Sequence, residues 1–545
     1  MFTAVKDAEG EDDWMLEPAV LLLLLLGVIQ PQSSEAEISR GLNFLVVFPE
    51  NVAYFYPEGP QNQVQVTALY RDTHVTVNIS SQVQSRTLSA AETQRFFFYR
   101  QDELRRKHVS NKVVQVSSTK VIVVQALSLK ADSVQSTLVL PTKRLGTDYL
   151  IPPIPKIQGT TDPADAVSVN VTERGPFRLV VVNADKQNKV MLEGDVIAES
   201  ELEPYHAAQF WLTVDDAWAV LRVQHPAAVL FSHTCAMIHN CSCSLLYATL
   251  PPATQQRKTF FIPMALSRNQ TSLLLSQEEL STIEDLDSDT PLVEITGNVL
   301  LHRPGMLLPL IPEADFASCY VVTAIPSIQN SAVIVVHKDL TDGVHVGRDA
   351  AENAVWEQIK GTDHVSTVVE LTSDTAIWHS SHKIAVYYMG ERGGALFGNP
   401  APAVSQTSDP RGCVLSPDIL EVGQEAVSWQ ESVKYCRGKN LQLVSLSTLP
   451  LQNYVYAKVQ QLQDVNLRRA WIGLRRSWLT GEWYWLNMAP VTVTSWKGAK
   501  PSSAQGSQCG TVSLELGQDF SWSDEDCCQP VRPICYRGPV LFPVQ

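Results

Sequence analysis

The chain is short of charge. Lys, Arg, Asp and Glu make up 18% of its 545 residues, against 45% hydrophobic residues. That is too little charge for a disordered chain and enough apolar material for large cores. Base is scarcer than acid, 42 residues against 57, for a net charge of -15. The balance argues against nucleic acid or an anionic membrane as a partner. Sustained helical periodicity is missing before residue 390, and short runs rich in β-branched residues stand in its place. No zinc-protease helix, phosphate loop or serine elbow occurs, so no catalytic residue and no cofactor is assigned. The acidic stretch EDLDSDTP (Glu284–Pro291) opens like a calcium loop at Asp285, Asp287 and Asp289. It then puts Thr290 where that loop needs glycine and Thr296 where it needs a bidentate glutamate, so the pattern fails.

Long apolar runs are missing too, with one exception. AVLLLLLLGVI (Ala19–Ile29) is too short to span a bilayer comfortably and fits the core of a signal peptide. Residues 1–36 are expected to be removed by cleavage after Ala36. Glu11, Asp12, Asp13 and Glu17 replace the usual basic flank. A start at Met15 would remove most of that acid. The tail at 539–545 is too short for a lipid-anchor signal. Secretion into an extracellular space is the expectation. Ten cysteines, six of them after residue 410, suit an oxidising compartment. Four glycosylation sequons stand at Asn78, Asn170, Asn240 and Asn269.

Strand-like runs fill residues 37–389. QVQVTALY (Gln63–Tyr70), VIVVQAL (Val121–Leu127), FRLVVVN (Phe177–Asn183) and SAVIVVH (Ser331–His337) are short and bounded by turn residues. An internal repeat is visible. NKVVQVSSTKVIVVQAL (Asn111–Leu127), AVLRVQHPAAVLFSHT (Ala219–Thr234) and STVVELTSDTAIWHSS (Ser366–Ser381) each set an alternating strand, a polar turn and a second apolar strand in series. They read as three diverged β-units. Residues 390–411 are rich in Gly, Pro and Ser and lose apolar periodicity, so they read as a linker. Cys235, Cys241, Cys243 and Cys319 form an even set of four that allows three pairings. The Cys241-Ser242-Cys243 pair has no second pair at metal-site spacing, so a disulfide role is expected.

GLNFLVVFPEN (Gly41–Asn51), VQHPAAVLFSHTC (Val223–Cys235), LPPATQQRKTFFIP (Leu250–Pro263) and CYVVTAIPS (Cys319–Ser327) resemble the N-terminal domain of the IgG-Fc-binding protein family, over roughly residues 41–395. The resemblance implies a secreted, mucus-related protein. It does not license antibody binding here.

Residues 412–538 carry a second resemblance. WQESVKYCRGKNLQLVSL (Trp429–Leu446) reads as an amphipathic helix ending at Gly438, then a strand. AWIGLRRS (Ala470–Ser477), GEWYWLN (Gly481–Asn487), FSWSDEDC (Phe520–Cys527) and PICYR (Pro533–Arg537) follow. The whole resembles a C-type lectin-like domain. The expected architecture is therefore multidomain: a β-rich N-terminal region followed by an α+β lectin-like domain. The family pattern implies Cys436–Cys535 and Cys509–Cys527 disulfides. Cys413 and Cys528 are left over. Adjacent cysteines join poorly, so Cys413–Cys528 is expected, with a Cys413-linked dimer as the alternative.

In sugar-binding members of that family, calcium is held by an acidic-proline-amide triplet, a carboxylate before the third cysteine, and an Asn-Asp pair after a tryptophan. The corresponding residues here are Lys500, Pro501 and Ser502, then Ser507, then Ser523 and Asp524. Asp524 alone keeps its liganding chemistry, and Lys500 brings a positive charge to the metal position. No calcium-dependent sugar binding is expected. Trp478, Trp496, Arg475, Arg476 and Lys500 are the candidate contacts to an extracellular protein or glycan. The sequence points to a secreted, non-enzymatic recognition or adhesion protein, with a calcium-independent lectin and an extracellular hydrolase as alternatives.

Overall fold

Alternation makes the first strands. Thr73–Ile79 buries Val75, Val77 and Ile79 and turns His74 to solvent. The computed structural model describes residues 39–543 except 54–58, 81, 132, 155–157, 160–168, 171–176, 195–196, 213–219, 240–241, 268–271, 277–279, 284–291, 304, 394, 463, 465–466, 499–500, 502–505 and 515–519. The leader with Met15 and Ala36, Asn240, Cys241, Asn269, Lys500 and Ser502 lie outside the described residues. Asn170 ends a short strand, Val169–Asn170, and Asn78 is half-buried in Thr73–Ile79.

The first sheet runs Gln82–Leu88, Thr73–Ile79, Val114–Lys130, Gln61–Ala68, Thr93–Phe98, and the second runs Ile197–Leu202, Asn188–Glu193, Val220–His239, Phe177–Asn183, Ala207–Leu212. The order is the same through these five strands, and the second sheet adds Val109–Ser110 beyond Ala207–Leu212. In both, a hairpin and an apolar strand flank one long strand, which reaches 17 residues in the first sheet and 20 in the second. A strand so long serves two sets of neighbours. The early part of Val114–Lys130 pairs with Thr73–Ile79, and its later part pairs with Gln61–Ala68 and Ser133–Leu138. The two sheets share a core in which Val64, Val124 and Phe44 meet Val180, Leu230 and Tyr247. The third segment departs from this order. Its stretch is split into His364–Leu371 and Thr375–His379, which join two different five-stranded sheets.

The stretch read as a linker is part of the fold. Ala385–Arg392 pairs antiparallel with Ala395–Pro400, and Ala403–Ser405 pairs with Cys319–Val322. Ala401, Ala403 and Val404 are buried, and Ser136 donates a buried hydrogen bond to Asn399 Oδ1. The glycines are there for close approach. A Cβ on Gly390 would lie 2.2 Å from the Phe397 ring, and one on Gly398 2.6 Å from Met389 Sδ. Limited digestion with a broad-specificity protease is therefore expected to spare residues 385–405, because local opening there would break a buried hairpin. Mass spectrometry of the first fragments checks this, and a first cut inside that hairpin would contradict it.

The C-terminal domain begins with helix Trp429–Gly438, started by a capping box. The Ser428 hydroxyl accepts from the Glu431 N–H, while the Ser428 N–H donates to the Glu431 carboxylate. A second helix, Leu449–Gln461, is capped by Thr448. Beside them runs a sheet in the order Ile419–Val422, Arg532–Arg537, Arg469–Arg476, Ser507–Ser513, Trp522–Asp526. Trp471, Trp485 and Trp522 are fully buried, and Trp471 Nε1 donates to the Val427 carbonyl at 2.8 Å.

This domain is fastened to the N-terminal region. Val414–Ser416 pairs with Val540–Leu541, so its first and last segments run side by side. Leu415 and Phe542 pack into one cluster with Leu69, Val123, Val321 and Trp378. Arg40 Nη1 donates to the Leu415 carbonyl at 2.8 Å.

Two buried ionisable groups stand out in the N-terminal region. Glu103 is 2% exposed and accepts from Asn62 Nδ2 at 3.2 Å and the Asn51 N–H at 3.3 Å. Burial pushes its carboxyl up to about 7 against those two hydrogen bonds. His302 is 3% exposed, and among the described residues neither of its ring nitrogens has a hydrogen-bond partner. Burial, with nearby His233 adding to it, holds its imidazole down at about 4.

Candidate functional site

The candidate surface is built on two strands of the C-terminal sheet. Ser507–Ser513 and Trp522–Asp526 pair antiparallel, placing Ser507 opposite Asp526, Gly510 opposite Asp524 and Thr511 opposite Ser523. Ser507, Ser523 and Asp524 are all half-buried. The neighbouring carboxylates are already engaged. Glu525 accepts from Arg469 Nη1 at 2.8 Å, and Asp526 accepts from the Cys528 N–H at 3.0 Å. Among the described residues, no group of three or more His, Cys, Asp or Glu side chains is placed to hold a metal ion.

The candidate contact residues separate into two kinds. Trp478 is 83% exposed, at the tip of the hairpin between Arg469–Arg476 and Trp483–Trp485, with Leu479 exposed beside it. The other three described candidates are occupied within the domain. Trp496, a candidate contact, is half-buried, with its ring 4.9 Å from Trp483 and 5.7 Å from Trp522. The guanidinium of Arg475 lies 5.3 Å from the Trp429 ring centre. Arg476 Nε donates to the Gly481 carbonyl at 2.9 Å. Arg469, Arg475 and Arg476 are thus engaged within the domain, while Trp478 and Leu479 form an exposed apolar tip.

The disulfides correct part of the pairing scheme. Cys436 joins Cys535 and Cys509 joins Cys527. Cys413, however, joins Cys319 and not Cys528, which carries an exposed free thiol. The segment lying against Cys413 is Phe542, whose N–H donates to the Cys413 carbonyl at 2.8 Å. A Cys413-linked dimer is corrected at the same time, since that sulfur is bonded within the chain. Cys235 joins Cys243. The set Cys235, Cys241, Cys243 and Cys319 therefore does not close on itself. No spacing rule could have found the Cys319–Cys413 bond, because it spans 94 residues and two domains.

A helix pair, a Trp-rich sheet and two disulfides within residues 412–543 define a C-type lectin fold. Residues 425–537 match the family model of the lectin C-type domain, and this part of the chain is such a domain. Ahead of it, the chain is similar to the human IgGFc-binding protein, at 25% identity over 394 residues, covering 64% of this chain and 7% of that one. Human C-type mannose receptor 2 is 23% identical over 116 residues, covering 21% of this chain and 7% of its own length. The chain thus spans about 7% of each of these two relatives. Among solved structures, the cow C-type carbohydrate-recognition domain of CD23 is 23% identical, covering 23% of this chain and 89% of that one, with a TM-score of 0.20. Both resemblances read from the sequence hold.

Proposed function

We propose that this is a secreted, non-enzymatic recognition or adhesion protein of extracellular or mucosal defence, whose C-terminal domain takes a protein or glycan ligand without the usual calcium site. The β-rich region, read as three diverged units, is its scaffold. The ligand set at the lectin position carries this reading. Asp524 is its one carboxylate, beside Ser507 and Ser523, while Glu525 and Asp526 are bonded to Arg469 and the Cys528 N–H. Calcium takes about six to eight oxygens with carboxylates among them, and hydroxyls do not replace those. Secretion is supported by the Cys235–Cys243, Cys319–Cys413, Cys436–Cys535 and Cys509–Cys527 bonds, which belong to an oxidising compartment.

Calcium is expected to leave the melting temperature of the secreted protein unchanged beyond a weak ionic effect. A site specific to the folded state would add about 2.7 kcal/mol at a hundredfold excess over its dissociation constant. A saturable rise in differential scanning fluorimetry, removed by Asp524→Ala, would overturn the reading.

The calcium-independent lectin is the second reading, favoured by the 83% exposure of Trp478, since an open aromatic face suits a sugar ring as well as a protein. Glycan-array binding with and without chelator, on the parent and Trp478→Ala, separates the two. Array binding that survives chelator and is lost in the variant selects the lectin.

A further inference from the structure

The N-terminal region holds a cavity that the lectin resemblance does not explain. Its volume is about 450 Å³, and Arg40, Lys120, Lys143 and Arg144 all line it. Among the described residues no aspartate or glutamate lines it, in a chain whose acidic residues outnumber its basic ones 57 to 42. The exposed Lys120 and Lys143 bring like charges to one concavity and create a positive potential that an anion relieves.

The fold builds this cavity deliberately. Arg40–Val46 pairs with Val114–Lys130, but the register jumps from Gly41↔Ile122 to Asn43↔Ser117. Residues 118–121 are skipped in the pairing with Arg40–Val46 and carry Lys120 as one rim. A bulge of this kind re-aims side chains next to a site. The opposite rim is the turn Thr142–Arg144, drawn close because Gly41 has no Cβ. One built there would lie 2.4 Å from Pro141 Cβ. Lys120 and Lys143 are exposed. Lys120 Nζ donates to the Arg71 carbonyl, which leaves its charge uncompensated, and no carboxylate among the described residues lies within ion-pair distance of either lysine. Tyr70 and Val121 add an apolar wall.

We infer that this cavity binds an anionic sugar, one or two rings bearing a sulfate or carboxylate. The cations take the oxyanion as charge-assisted donors. The Tyr70 and Val121 wall takes the apolar face of a ring. The volume falls within the range of about 300–1,000 Å³ typical of small-ligand pockets. The site lies apart from the calcium-position strands of the lectin domain, at the seam where Arg40 holds Leu415.

The inference rests on the recognition reading only for the class of activity, and the test separates the two. The full secreted chain is titrated calorimetrically with sulfated N-acetylglucosamine, sialyllactose, their uncharged parents N-acetylglucosamine and lactose, and inorganic sulfate. At least one charged sugar is expected to bind, more weakly as salt rises, and more tightly than inorganic sulfate, while the uncharged parents do not bind. The double variant K120E/K143E, at two exposed positions, is expected to lose affinity on the order of tenfold or more with an unchanged melting temperature. Equal affinity for inorganic sulfate and the charged sugar would reduce the site to a free-anion site and overturn the sugar assignment. Equal binding of an uncharged parent, unchanged binding by the variant, or no binding of any charged sugar would overturn the cavity altogether. If the chain still binds a glycan array and K120E/K143E binds it equally, the cavity fails while the recognition reading stands.

Discussion

Glu103→Gln is expected to stabilise the N-terminal region at pH 8 by up to about 3 kcal/mol and to do little at pH 4.5. Burial raises the Glu103 carboxyl from 4.5 to about 7. An acid with a raised folded pKa binds its proton more tightly in the folded state. Its contribution is therefore complete below the unfolded value and is lost as pH rises through about 7. Glutamine keeps the oxygen that accepts from Asn62 and the Asn51 N–H, and it has no charge to bury. The gain is reduced by whatever Lys130 loses, since the carboxylate supports that ammonium. His302 has the opposite sign. Its folded value is lowered from 6.5 to about 4, so its contribution is complete above the unfolded value and is lost as pH falls through about 4. His302→Phe is expected to flatten the acid side of the profile by a similar amount, about 3 kcal/mol. Between about pH 4.5 and 6.5 the two slopes oppose each other in the parent, and each variant should expose the slope of the other group. Urea titrations of parent and variants across pH 4 to 8 give the differences directly. A shift of the same size at every pH would show that neither side chain changes its protonation with folding.

Replacing both Cys319 and Cys413 with alanine is expected to destabilise the protein more than replacing both Cys235 and Cys243. The bond closes a span of 94 residues, for which loop-closure entropy gives about 4.7 kcal/mol. The Cys235–Cys243 bond closes a span of 8, and the same relation gives about 2.5 kcal/mol. Cys319 and Cys413 also sit in the cluster that seats Leu415 and Phe542 against Val321 and Trp378. Without the bond, the lectin domain keeps its own Cys436–Cys535 and Cys509–Cys527 links but loses its disulfide tie to the N-terminal sheets. Calorimetry should show the transition of the seam moving to lower temperature, and the two domains melting separately where the parent couples them. Cys235→Ala with Cys243→Ala should move the profile less. An equal or greater effect from that short loop would mean that the seam holds without its disulfide.

Much of the lectin domain was legible because its signals are local. The helix ending at Gly438 follows from apolar spacing and its Ser428 cap. The strand Arg469–Arg476 follows from the Trp-Ile-Gly-Leu run, which buries Trp471, Ile472 and Leu474. The depleted calcium positions were read from residue types alone, since a lysine or serine offers no carboxylate wherever it lies. Trp496 was not legible. A tryptophan flanked by polar residues reads as surface, and only the approach of Trp483 and Trp522 covers it.

The glycines at 390 and 398 were misread for a related reason. A sequence rich in glycine looks the same whether the missing side chain gives a linker its freedom or lets Phe397 and Met389 come close. Cys413 was misassigned because a disulfide needs its two α-carbons within a few ångströms. Which segment comes that near depends on how two domains dock. The basic cavity escaped notice because Arg40, Lys120 and the 142–144 turn are far apart in the chain and meet through a strand bulge. By itself the sequence determined that the N-terminal region is built of strands, that the last part is a C-type lectin domain, and that the described calcium positions keep a single carboxylate, Asp524, because periodicity, spacing and side-chain chemistry are properties of short stretches. The tertiary structure alone decided which cysteine meets Cys413, which tryptophan stays exposed and where four cations converge, because each depends on contacts between segments that the sheets bring together from distant parts of the chain.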